Sequence, residues 1–163
     1  MISGKLVRLR PIRDDDWATI EAWGQDRDGL WGPFQRFQMD HLPKLREAYQ
    51  HTGLLKRDGG FLLVEELVEP RPVGFVRYTM LSFPDADLPY PEIGCGIPDV
   101  QARRKGLAKE AVALLTGYLF SGYPLERVAA FTDVENLPAQ HVLEAAGFRR
   151  EGVLARSTFR DRR

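Results

Sequence analysis

Residues 92–111 read EIGCGIPDVQARRKGLAKEA. A short strand pattern, EIGCGI, is followed by a connection and then by three basic residues, Arg103, Arg104 and Lys105, which run into Gly106. From there Leu107, Ala111, Leu114, Leu115, Tyr118 and Leu119 recur at helical spacing, the strongest helix signal in the chain. The first N–H groups of a helix have no internal partner, and the helix dipole places about half a positive charge beside them. A diphosphate can accept several of those N–H bonds at once. Gly106 and Ala108 have little side chain to keep phosphates from the backbone, and the basic residues add charge. The pattern is neither the Walker phosphate loop nor GxGxxG. Taken alone, it also fits a solvated basic turn whose glycine serves geometry.

What precedes the turn narrows that choice. Strand alternation puts Glu92, Gly94 and Gly96 on one face, and two glycines there predict an open channel beside the strand. An extended ligand arm could lie along such a strand as an added strand would. The distance from Gly96 back to Glu92 is about 13 Å at the usual strand rise. A diphosphate with a long thin arm fits this layout, and coenzyme A has that shape. A bulge or sharp twist is the other reading of the glycines. Cys95 falls on the opposite face and reads as a buried structural thiol.

Working outward, 5–12 and 61–68 read as strands, as do 73–81, 92–97, 127–134 and 148–155. Helices are expected over 17–24, 41–50, 106–120 and 138–147, with Asp14 to Asp16 supplying N-cap chemistry for the first. The stretch 26–37, with Trp31, Phe34 and Phe37, reads as an aromatic loop. Trp17 and Trp23 are expected to pack under the first helices. The order β-α-α-β-β-β-α-β-α-β predicts one α+β domain built on a mixed sheet with helices on both faces.

The chain has 163 residues, 23 basic and 23 acidic, so its formal net charge is zero. Broad attraction to nucleic acid or an anionic membrane is not expected. A single cysteine excludes an intrachain disulfide and fits a reducing cytoplasm. The N-terminus MISGKLVRLRP has no apolar signal core, and no apolar run is long enough to span a membrane. His41, His51 and His141 show no metal-ligand spacing with one another or with Cys95.

Arg103-x-x-Gly106-x-Ala108 resembles the acetyl-CoA motif of the GNAT N-acetyltransferase superfamily. The stretch DVENLPAQHVLEAAGFRREGVL, 133–154, is similar to the branch that contains the ribosomal-protein alanine N-acetyltransferases. Asn136, Leu143, Glu144, Gly147, Phe148, Glu151 and Gly152 carry that likeness. The resemblance implies a mostly antiparallel sheet, splayed between the fourth and fifth expected strands, with acetyl-CoA as co-substrate in the splay. It implies that Ile97, Pro98, Asp99 and Val100 hold the pantetheine arm and acetyl carbonyl. Arg103 to Ala108, including Leu107, would hold the pyrophosphate, and Asn136 would contact the cofactor near its arm. The acceptor would be a primary amine, either a peptide N-terminus or a small molecule.

An amine with a pKa near 10 must lose a proton before it attacks, so a base or water path is needed. Glu92 is the first candidate base; a strand-edge carboxylate paired with an arginine is its bland reading. Asp133 and Glu135 are weaker candidates, and Asp133 is expected to set the turn before the next helix. Trp31, Phe34 and Tyr78 are candidate acceptor-lining residues. The related branch often has a serine three residues after the asparagine, thought to assist the leaving thiol; here that position is Ala139. This departure keeps a second expectation open, an acyl-CoA-binding sensor or scaffold with little catalysis. The family continues into another strand after the sixth, which is either contributed by something else or lies outside this sequence. An edge lacking it is open to pairing, as in a homodimer.

Overall fold

The computed structural model describes residues 1–26, 34, 40–83 and 87–157. The strands among them are β1 (Ile2–Ser3), β2 (Val7–Arg10), β3 (Leu55–Lys56), β4 (Gly59–Glu66), β5 (Arg71–Leu81), β6 (Tyr90–Gly96) and β7 (Ala129–Ala130). They form one sheet in the order β1-β2-β4-β5-β6-β7, with β3 pairing β4 from the side. All pairings are antiparallel except β6 with β7. The helices are α1 (Trp17–Gln25), α2 (His41–Thr52), α3 (Leu107–Gly122) and α4 (Leu137–Ala145).

Period-two alternation decides which side chains each face receives. Val7, Leu9, Leu62, Val64, Val76, Tyr78 and Ile93 join Leu107, Ala111, Val112, Leu115 and Leu119 of α3 in the larger core. Leu63, with Phe61 and Phe75 beside it, packs on the other face against Ile12, Trp17, Ile20 and Trp23. The two tryptophans are therefore buried under the first helices, as expected from the sequence.

Four local expectations change. Asp14 to Asp16 form one 3-10 turn, and no aspartate side chain caps α1. Asp16 turns instead toward Arg10, a stronger partner than a helix amide. The strand expected over 127–134 shrinks to Ala129–Ala130. Asp133 Oδ1 accepts the Glu135 N–H at 2.8 Å, so the backbone has already entered a turn. Residues 148–155 form no strand, and Val153 and Leu154 stay exposed. An alternating pattern becomes a strand only where a neighbouring edge completes its ladder. Finally, the short β3, which pairs with the start of β4, has no counterpart among the expected strands.

The splay is present. β7 pairs β6 only through Glu92 with Ala129 and Ile93 with Ala130. Gly94 to Gly96 continue along β5, but have no strand partner on the β7 side among the described residues.

Under α1 lies a buried charge network. Arg10 Nη1 and Nη2 donate to the two Asp16 carboxylate oxygens at 2.7 and 2.8 Å, and Arg10 Nε donates to Glu65. Arg8 also pairs with Glu65, and the Arg13 N–H donates to Asp16 at 2.7 Å. Burial pushes the Asp16 and Glu65 carboxyls up, but the arginine bonds outweigh it and leave both below the ordinary carboxylate range. A carboxyl depressed in the folded state adds stability above its unfolded pKa, and that stability is lost as pH falls through the folded value. Urea titrations should therefore show stability falling steeply below about pH 4. Asp16→Asn should be less stable than the native chain at neutral pH and show a shallower acid slope. An equal slope in both proteins would remove Asp16 as a source of the acid sensitivity.

Candidate active site

The end of β6 is tied down by its own loop. Asp99 Oδ1 accepts the Gln101 N–H at 2.9 Å, and its other oxygen pairs with Arg71 of β5. Arg103 folds back, its Nε donating to the Ile97 carbonyl at 2.8 Å and its Nη2 to the Pro98 carbonyl at 3.4 Å. Pro98 is buried and Val100 exposed. Arg103 and Asp99 thus shape the loop, and neither side chain extends freely as a ligand group.

Beyond Arg103 the backbone bends twice. Arg104 has φ +64° and Gly106 φ +81°, both left-handed. A non-glycine residue there costs about 1–3 kcal/mol, so the Arg104 conformation is imposed by its surroundings. Backbone bent in this way turns successive N–H groups inward and makes an anion-binding concavity. The Glu110 N–H is the first to bond within α3, to the Gly106 carbonyl at 3.1 Å. The amides of Leu107, Ala108 and Lys109 precede it and have no intrahelical carbonyl. Among the described residues, a Cβ on Gly106 would meet only Leu6 Cδ1, at 3.7 Å, so there is space beside the glycine itself. Arg104 is exposed and forms no ion pair among the described residues, whereas Lys105 Nζ lies 3.6 Å from the buried Glu66.

The glycine face differs from the expected open channel. A Cβ on Gly94 would sit 2.9 Å from Arg77 Nε, and one on Gly96 would sit 2.7 Å from the Phe75 ring. The glycines make room for side chains of β5, and the open approach is along the strand edge that β7 leaves. Glu92 lies on this face. Its carboxylate accepts from Arg77 Nη1 at 3.0 Å and Nη2 at 3.5 Å, and its side chain is 13% exposed. The arginine-paired reading of Glu92 is therefore realised, and solvent still reaches the carboxylate.

The other candidates separate. Asn136 is the N-cap of α4, its Oδ1 accepting the Ala139 N–H at 3.3 Å. Tyr78 is 5% exposed in the α3-side core, its hydroxyl donating to the Lys56 carbonyl at 3.2 Å and lying 3.3 Å from the Tyr123 hydroxyl. It faces away from Glu92, because side chains of β5 alternate, so it is a core residue and not an acceptor-lining one. Phe34 lies half-buried in a turn, and Trp31 lies outside the described residues. Cys95 is half-buried, and burial pushes its thiol up to about 12, which favours the protonated form. Asp133 sets the turn into α4, its carbonyl accepting the Asn136 N–H at 3.0 Å. Among the described residues, no group of three metal-ligating side chains exists.

Sequence reasoning missed Arg77, Arg71 and Glu66. Each acts across strands, and only the register that pairs Arg77 with Gly94 shows why an arginine covers that glycine.

A family description of the acetyltransferase (GNAT) domain matches residues 7–149. The chain belongs to the GNAT acetyltransferase family. Acetyl-CoA is the co-substrate of that family, and GNAT proteins are acyltransferases. No curated protein matches the sequence. Solved structures that share the fold include the following three. One is spermidine N-acetyltransferase from Vibrio cholerae in complex with CoA and spermine, 20% identical with a TM-score of 0.76, covering 96% of this chain and 88% of its own. A ribosomal-protein-serine acetyltransferase-like protein from Vibrio cholerae is 23% identical, with a TM-score of 0.72 and coverage of 93% and 84%. The aminoglycoside acetyltransferase AAC(6')-Ib with ribostamycin and coenzyme A is 20% identical, with a TM-score of 0.69 and coverage of 92% and 87%. These likenesses establish the GNAT fold for this chain, and the mostly antiparallel sheet and its splay agree with it. No helix among the described residues is long and apolar enough to cross a membrane.

Proposed function

We propose that the protein moves an acetyl group from acetyl-CoA to a primary amine by direct attack in a ternary complex. The observation that carries this reading is the continuity of two features: a β6 edge without a partner beyond Ile93, and an α3 N-terminus with left-handed residues at Arg104 and Gly106. The first suits the pantetheine arm, the second the diphosphate. Ile97 to Val100 would follow the arm, with a backbone N–H near the end of β6 placed to donate to the developing oxyanion. Leu107, Ala108 and Arg104 would meet the diphosphate through their amides, with Arg104 and Lys105 adding charge.

Glu92 would accept the amine proton, directly or through water, while Arg77 holds its carboxylate in place. The amine nitrogen then bonds to the acetyl carbon, the carbon–sulfur bond breaks, and the thiol leaves with a proton. Cys95, on the opposite face and with its pKa raised, favours direct transfer over a covalent acyl-enzyme. For Asn136, the capping role observed at α4 supports a part in fixing the loop that faces the splay. The acceptor would be a small-molecule amine or a peptide α-amine. The amine ligands named for two proteins of the same fold, spermine and ribostamycin, favour the small molecule. The setting would be cytoplasmic, and the exposed end of the sheet beside β7 is compatible with a homodimer.

Glu92→Gln should lower kcat by about 10²-fold or more while leaving the KM for acetyl-CoA unchanged. Steady-state kinetics over a pH series check this, and a pH–rate profile identical to that of the native protein would remove Glu92 as the base.

Ala139 supports a second reading, a sensor that binds acyl-CoA with little turnover, because no hydroxyl is present there to protonate the leaving thiolate. That reading requires CoA binding without thiol release across an amine panel.

A further inference from the structure

Glu110, in the first turn of α3, does not point into solvent. Its Oε1 accepts the Lys5 N–H at 2.8 Å, and its Oε2 accepts the N–H groups of Leu6 at 2.6 Å and Val7 at 2.8 Å. Three successive amides of the β1–β2 turn thus converge on one carboxylate. Gly4 makes the approach possible, since a Cβ there would lie 2.6 Å from Glu110 Cδ. The turn is itself fixed: the Gly4 N–H donates to the Val7 carbonyl and the Leu67 N–H to the Leu6 carbonyl, each at 2.9 Å. Leu6 is also the residue nearest to the open side of Gly106. Burial pushes the Glu110 carboxyl up, and the three amides outweigh it and hold it below the ordinary range.

We infer that Glu110 is a positioning residue for acetyl-CoA, one that ties the start of α3 to the β1–β2 turn so that its unbonded amides keep one arrangement. The inference rests on the reading of that helix start as the diphosphate site. Two consequences of the geometry support it. A helix end frays unless its first turn is anchored, and preorganised donors bind an anion without the cost of ordering. A carboxylate one turn from a diphosphate would also repel it; bonded to three amides and turned toward β2, its charge is compensated away from the ligand.

Glutamine cannot replace this carboxylate. It has one acceptor oxygen, and its NH2 group would face amide donors. Glu110→Gln should raise the Kd for CoA by on the order of tenfold in calorimetry. The KM for acetyl-CoA should rise in step, while kcat at saturation and the KM for the amine stay within about twofold. Asp16→Asn, which loosens the fold on the opposite side of the sheet, controls for stability. It should leave CoA affinity unchanged at a comparable loss in melting temperature. If Glu110→Gln binds CoA as tightly as the native protein while Gly106→Val does not bind, the role of Glu110 is overturned and the site stands. If both variants bind as the native protein does, the site reading fails and this inference falls with it. Equal weakening in Glu110→Gln and Asp16→Asn assigns the effect to stability and also overturns the positioning role.

Discussion

Gly106→Val is expected to weaken acetyl-CoA binding by about a hundredfold, the equivalent of about 2.8 kcal/mol. The glycine has φ +81°, a conformation a β-branched residue adopts only under strain. Either the backbone turns out of the left-handed region, rotating the amides of Leu107 and Ala108, or it stays and places two methyl groups where phosphate oxygens approach. Both outcomes remove the anion site. The fold should survive, because among the described residues a Cβ at this position would meet only Leu6 Cδ1, at 3.7 Å. Calorimetry with CoA, alongside circular dichroism to confirm folding, measures the loss. A folded Gly106→Val variant that binds CoA like the native protein would show that the diphosphate lies elsewhere.

The second large effect concerns stability. Asp16→Ala should cost about 3–5 kcal/mol, because it removes two of the four hydrogen bonds of the buried Arg10 guanidinium and leaves the Arg13 N–H without an acceptor. Arg10 is 3% and Asp16 6% exposed, so water cannot replace what is lost. For a chain of this length the melting temperature should fall by on the order of 10 °C. A decrease of only a degree or two would mean that Glu65 and the Pro11 carbonyl together satisfy Arg10. Replacing the group together, Arg10→Met with Asp16→Leu and Glu65→Met, should recover part of the stability, since the one charge this leaves without its carboxylate, Arg8, is partly exposed to solvent.

These two positions show what the amino-acid order discloses and what it conceals. Gly106 is legible: a glycine between a basic turn and an apolar helix has few purposes, and the strand before it narrows them further. The helices α1 to α4 and strands β4 to β6 are legible for the same reason, as their apolar spacing has one consistent reading. Asp16 reads as a cap for α1 and is not one; it closes the preceding 3-10 turn through the Arg13 N–H and pairs with Arg10. Local sequence offers an aspartate a helix N–H, whereas the fold offers it Arg10, whose position depends on pairing β2 with β4. The glycine face is half legible. Alternation places Glu92, Gly94 and Gly96 together, but the register that brings Arg77 and Phe75 over the glycines is a long-range property. Tyr78 reads as a residue of the acceptor cleft, yet alternation along β5 turns it toward α3. Residues 148–155 carry a strand pattern but join no ladder, so the pattern alone does not make a strand.

The most direct test of acetyl transfer is release of free thiol from acetyl-CoA, followed over a panel of amines that includes polyamines, aminoglycosides and short peptides with free N-termini. Release is expected to depend on at least one amine, to saturate in both substrates, and to fall with Glu92→Gln and Gly106→Val. Tight binding of CoA with no amine-dependent release across the panel would contradict acetyl transfer by this protein.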